Sequence, residues 1–79
     1  MRVSVKLHGL LRPYHPGPNR SSLLEVELAD RATPADVIAA LKLPPEQARL
    51  IFVNDTQAQT TQELCEGDRI GLFSVVVGG

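Results

Sequence analysis

The chain has almost no cysteine, no excess of charge and no long apolar run, and each shortage removes a class of function. A single cysteine, Cys65, cannot close an internal disulfide, and without a second there is no thiolate spacing for zinc. A reducing, cytoplasmic setting is expected. Eight Lys and Arg against nine Asp and Glu leave a net charge of −1, which offers no electrostatic footprint for nucleic acid or for an anionic membrane. Nothing approaches the roughly 20 apolar residues of a membrane span. The opening segment, Met1-Arg2-Val3-Ser4-Val5-Lys6-Leu7-His8, alternates in polarity and lacks the continuous apolar stretch of a signal peptide. No internal repeat is visible, so the 79 residues read as one domain. A domain of this size buries little more than about 60% of its unfolded surface, which implies a thin core.

Catalytic constellations are missing too. No base or orienting group stands near Cys65, so it reads as a small buried or half-buried residue and not as a nucleophile. His8 falls on a strand and His15 in a loop, with no cysteine near either, and no metal site is expected. Arg12, Arg20 and Arg49 are scattered and read as solvated surface.

What the chain does have is alternation. Val3, Val5 and Leu7 interleave with Ser4, Lys6 and His8, which predicts a first strand; Leu24, Val26 and Leu28 interleave with Glu25 and Glu27, which predicts a second, paired loosely with the first. Between them, Gly9 to Ser22 carries Pro13, Pro16, Pro18, Gly17 and Asn19 and reads as a long loop without regular structure. Thr33-Pro34-Ala35-Asp36 predicts a helix start: Thr33 as N-cap, Pro34 at N1 and Asp36 at N3, close to a capping box. Val37, Ile38 and Leu41 follow at helical spacing, and Pro44-Pro45 should end the helix by Leu43. Leu50 to Val53 is a short apolar strand closed by an Asn54-Asp55 turn. Glu66-Gly67-Asp68 is another turn, and Arg69 to Phe73 the last strand. Strand, strand, helix, strand, strand fits an α+β fold with one helix across one face of a mixed sheet. The expected inward set is Val3, Val5, Leu7, Leu24, Val26, Leu28, Val37, Ile38, Leu41, Leu64, Ile70 and Leu72.

The chain ends on Gly78-Gly79. Without Cβ atoms, such an end can pass through a channel closed to other residues and deliver the α-carboxylate of Gly79. That group is ionised at neutral pH and is a poor acyl electrophile until it is activated. The pattern points to chemistry done on the chain and not by it.

These parts together, with the Val53-Asn54-Asp55 turn, the Leu64-x-x-Gly67-Asp68-x-Ile70 approach and Phe73 shortly before Gly78-Gly79, resemble the ubiquitin-like sulfur carriers of the ThiS and MoaD type over nearly all 79 residues. The resemblance implies a β-grasp domain over residues 1–73 and a flexible tail over residues 74–79. It implies that an E1-like adenylyltransferase uses ATP to adenylate Gly79. A sulfur donor of the cysteine desulfurase or rhodanese type then leaves a thiocarboxylate, which serves a sulfur-accepting synthase subunit of molybdopterin or thiamine biosynthesis. No catalytic residue and no bound cofactor are implied; the chain is a carrier, or the small subunit of a molybdopterin synthase-type complex. Two rival readings are a protein modifier joined to lysines through Gly79 and a noncovalent β-grasp interaction domain. In a β-grasp sheet the first and last strands are neighbours, so Phe73, His8 and the stem of Lys6 would form an apolar patch beside the tail residues Val77, Gly78 and Gly79, suited to docking the activating enzyme. Two positions depart from the family pattern: Asp55 stands where Gly is frequent, and Ser74-Val75 where prolines are frequent.

Overall fold

The structure is a computed structural model that describes residues 1–74. Five strands form one sheet: β1 (Arg2–His8), β2 (Leu24–Glu27), β3 (Leu50–Val53), β4 (Thr56–Ala58) and β5 (Arg69–Phe73), in the spatial order β2-β1-β5-β3-β4. The central pair, β1 and β5, is parallel and every other pair is antiparallel. Parallel neighbours need a long crossover, and here the crossover carries the helix α1 (Pro34–Ala40). The period-two segments place Val3, Val5, Leu7, Ile51, Val53, Ile70 and Leu72 on one face, where they pack with Val37 and Ile38 of α1 and with Leu64. Leu24, Val26, Leu28 and Leu41, expected in the same set, are half-buried at its margin: Leu24 and Val26 lie on the edge strand β2, Leu28 follows it directly, and Leu41 caps the exposed end of α1.

The helix begins as its sequence predicts. The Asp36 carboxylate accepts the Thr33 backbone N–H at 2.8 Å, satisfying a donor at the helix start and placing negative charge at the positive end of the dipole. It stops at Ala40, short of the Leu43 limit, in a Schellman arrangement. Leu43 N–H donates to the Ile38 carbonyl at 3.0 Å and Lys42 N–H to the Ala39 carbonyl at 3.1 Å. That closure puts Lys42 at φ 56°, where a side chain is strained and glycine is not. Lys42→Gly is therefore expected to raise stability by about 0.5–1 kcal/mol, measured as a higher urea midpoint at unchanged slope; a lowered midpoint would refute the strain.

Three local expectations are corrected. The segment Gly9 to Ser22 is not wholly irregular: Gly9–Tyr14 is a 3-10 helix with Pro13 inside it. A short 3-10 element tolerates the missing N–H, and the burial of Leu11 at 0% exposure fixes it to the core. Next, the Asn54-Asp55 turn does more than close β3. Both residues have positive φ, 51° and 69°, the geometry of a two-residue hairpin loop, and the chain returns as β4 with Val53 opposite Thr56. Finally, Cys65 is exposed. It opens the Glu66-Gly67-Asp68 turn, where its N–H donates to the Asp68 carboxylate at 2.8 Å, and this holds it at the surface while the preceding Leu64 is buried.

Candidate functional site

Alternation along each strand gives the sheet a second face, the one α1 does not cover. β1 presents Lys6 and His8 there, β5 presents Gly71 and Phe73, and β3 presents Phe52. Register brings them together: His8 lies opposite Phe73, and Gly71 lies between Lys6 and Phe52. The His8 ring stacks on Phe73 with centroids 4.0 Å apart and planes 3° from parallel. Phe52 meets Phe73 edge-on at 5.5 Å and 77°, an arrangement aromatic pairs prefer. Gly71 keeps the floor open, since a Cβ there would stand 3.4 Å from the Phe73 ring and 3.9 Å from His8 Nε2. The result is a shallow apolar groove walled by Phe52, Phe73, His8 and Leu23, with Lys6, Arg69 and Asp55 around it. Leu23 is 60% exposed, an apolar side chain held against water. Arg69 and Asp55 approach to 3.5 Å, but both are exposed and the pair contributes little.

The structure thus unites the three residues singled out as a patch, Phe73, His8 and Lys6, and adds Phe52 and Leu23. The sequence signal for Phe52 is parity: alternation within Leu50-Ile51-Phe52-Val53 sets it opposite to the buried Ile51 and Val53. Val77, Gly78 and Gly79 lie outside the described residues.

Burial lowers the pKa of His8 below its usual 6.5, and the nearby positive charges of Lys6 and Arg12 add to the effect. The ring is accordingly neutral at pH 7 and stacks as an apolar plate. Because the folded state disfavours the imidazolium, the contribution of His8 to stability is complete above about pH 6.5 and fades as the pH falls toward its lower folded value. Replacing His8 by Gln should flatten this part of the stability profile, read from urea unfolding between about pH 5 and 7; an unchanged slope would assign the pH dependence to another group.

The two turns of the sequence motif are structural. Asn54 Nδ2 donates to the Asp68 carboxylate at 2.9 Å and Asn54 Oδ1 accepts the Arg69 N–H at 3.0 Å, which ties the β3–β4 hairpin to the start of β5. His15 is buried and uses both ring nitrogens inside its loop: Nδ1 accepts the Gly17 N–H at 2.9 Å, which leaves Nε2–H to face the Ser22 carbonyl at 3.1 Å. Among the described residues no group of three His, Cys, Asp or Glu is placed to hold a metal, and no helix is long and apolar enough to cross a membrane.

Compared with known families, residues 14–79 match the model of the ThiS family. The chain belongs to the ThiS family. Its fold is the ubiquitin-like β-grasp, shared with other solved structures. SAMP1 from Haloferax volcanii is similar at a TM-score of 0.70 and 20% identity, with 100% of each chain covered. A protein described as molybdopterin converting factor subunit 1, from Pyrococcus furiosus, is similar at 0.71 and 25% identity over 95% of this chain and 98% of that one. The complex of subunits 1 and 2 of molybdopterin-converting factor from Helicobacter pylori contains a chain similar at 0.60 and 24% identity, with 100% of each covered. No curated protein matches the chain by sequence. Within this ThiS-family chain the apolar groove lies at the end of β5, the strand that leads toward Gly79.

Proposed function

We propose that this ThiS-family chain is a sulfur carrier whose reactive group is the carboxyl of Gly79. The observation that carries the reading is the family match running through Gly78-Gly79 to the last residue. In the proposed sequence, a carboxylate oxygen of Gly79 attacks the α-phosphorus of ATP held by an E1-like adenylyltransferase. The bond from that phosphorus to the bridging oxygen breaks, pyrophosphate leaves, and the carboxyl becomes an acyl adenylate. The terminal sulfur of a persulfide, on a donor of the cysteine desulfurase or rhodanese type, attacks the acyl carbon and AMP departs. A thiol then reduces the acyl disulfide and frees the thiocarboxylate, which gives its sulfur to a synthase subunit. Acid, base and nucleotide-binding groups all belong to the partners, so the chain acts as co-substrate and not as enzyme. The apolar groove around Phe73 is the surface proposed to seat the activating enzyme, and the Pyrococcus relative favours molybdopterin over thiamine biosynthesis.

Intact mass after incubation with the E1-like enzyme, ATP and a sulfur source tests this. The carrier reading requires a free chain heavier by the difference between sulfur and oxygen. A product joined to lysine would establish a protein modifier instead, and an unchanged mass a noncovalent domain.

A further inference from the structure

The last strand ends at Phe73, and the next residue is held. Leu10 lies in the first turn of the 3-10 helix, where backbone N–H groups have no partner within the helix. Its N–H donates instead to Ser74 Oγ at 3.0 Å, across a sequence separation of 64 residues. Gly9 makes this contact possible. It has φ 59°, and a Cβ at that position would stand 2.6 Å from Ser74 Oγ, closer than any side chain tolerates. The hydroxyl occupies space that only glycine leaves. Phe73, immediately before it, is stacked on His8, immediately before Gly9. Docking groove and chain exit are therefore built from adjacent residues of the same two segments.

We infer that Ser74, with Gly9 and the Leu10 N–H, positions the reactive end: the clip fixes where and in which direction the chain leaves the domain. This rests on the sulfur-carrier reading. Five residues follow Ser74, and at about 3.3 Å each they span at most roughly 17 Å. Freeing one more residue at their root would lengthen that reach by about 3.3 Å, while attack geometry is sensitive to about 1 Å. A fixed root also leaves fewer conformations to lose when the end enters a partner's cleft. Ser74 touches no reacting atom; its part is to aim.

The test compares full-length wild type, Ser74→Ala, Ser74→Thr and Gly9→Ala. Two readouts are taken: amide hydrogen exchange at Leu10, and kcat and KM for ATP–pyrophosphate exchange by the source organism's E1-like adenylyltransferase. Loss of one hydrogen bond in Ser74→Ala should speed exchange at Leu10 and lower kcat about three- to tenfold, with KM unchanged because the sheet face is intact. Ser74→Thr should restore both, and Gly9→Ala should reproduce the loss. Wild-type kcat in Ser74→Ala overturns the positioning role, and a fall in kcat without faster Leu10 exchange overturns the clip as its cause. Wild type that supports no pyrophosphate exchange at all defeats the carrier reading and this inference with it, whereas a kcat insensitive to Ser74 defeats only the inference.

Discussion

Deleting Gly79, or appending one alanine after it, is expected to abolish ATP-dependent activation while leaving the domain as stable as wild type. The deletion draws the carboxyl back by about 3.3 Å, and the extension pushes it forward by as much and adds a Cβ at the reacting residue. Either displacement exceeds the ~1 Å tolerance of near-attack geometry, so the expected effect is loss and not attenuation. The fold should not register the change, because among the described residues the buried core runs from Val3 to Leu72 and Gly79 itself has no side chain to pack. Intact mass spectrometry after reaction checks the first part and thermal unfolding the second. An altered chain that still gains the sulfur-for-oxygen mass difference would sink the assignment of Gly79.

Phe73→Ala is expected to weaken binding of the activating enzyme by about 2 kcal/mol, roughly 30-fold in Kd. The ring is the centre of the half-buried aromatic cluster: it carries the stacked His8 and takes the edge of Phe52, so its removal takes two partners out of place at once. Truncating a central aromatic anchor in a desolvated patch is what produces losses of this size. Phe73 is half-buried on the face away from α1, so the inner layer around Val5, Ile51 and Leu72 keeps its packing. Isothermal titration against the E1-like enzyme without ATP measures the effect, and far-UV circular dichroism confirms the fold. Wild-type affinity would remove the sheet face from the binding scheme and leave recognition to the terminal residues.

Much of this architecture is legible in the sequence wherever a physical period is written into it. Val3, Val5 and Leu7 disclose β1 because burial on one face alone imposes alternation, and Thr33-Pro34-Ala35-Asp36 discloses the helix start because orphan N–H groups need those side chains. β4 is hidden because it is a three-residue edge strand, Thr56–Ala58, with only Ala58 half-buried; no apolar period can be written in so few positions. Leu11 is hidden for a different reason. It is a single anchor inside a stretch of prolines and glycines, and one apolar residue has no periodicity. Strand parity places Phe73 and His8 on the face away from α1, where the structure stacks them; Phe52 is harder to separate, because Leu50 to Val53 is apolar at every position and only parity distinguishes its two faces. The Leu10–Ser74 clip could not be read at all: it joins a backbone N–H to a hydroxyl 64 residues away, a contact that only the folded chain creates.

The parallel pairing of β1 with β5 also has a mechanical side. A partner that draws on the end of the chain pulls along β5, which is hydrogen-bonded to β1 on one side and β3 on the other. The load falls along the strands, as shear across both ladders, so many hydrogen bonds share it at once and cannot be opened one after another like a zipper. Tension applied at the carboxyl end of β5 is thereby resisted by the two ladders together, in the direction in which a sheet yields least readily.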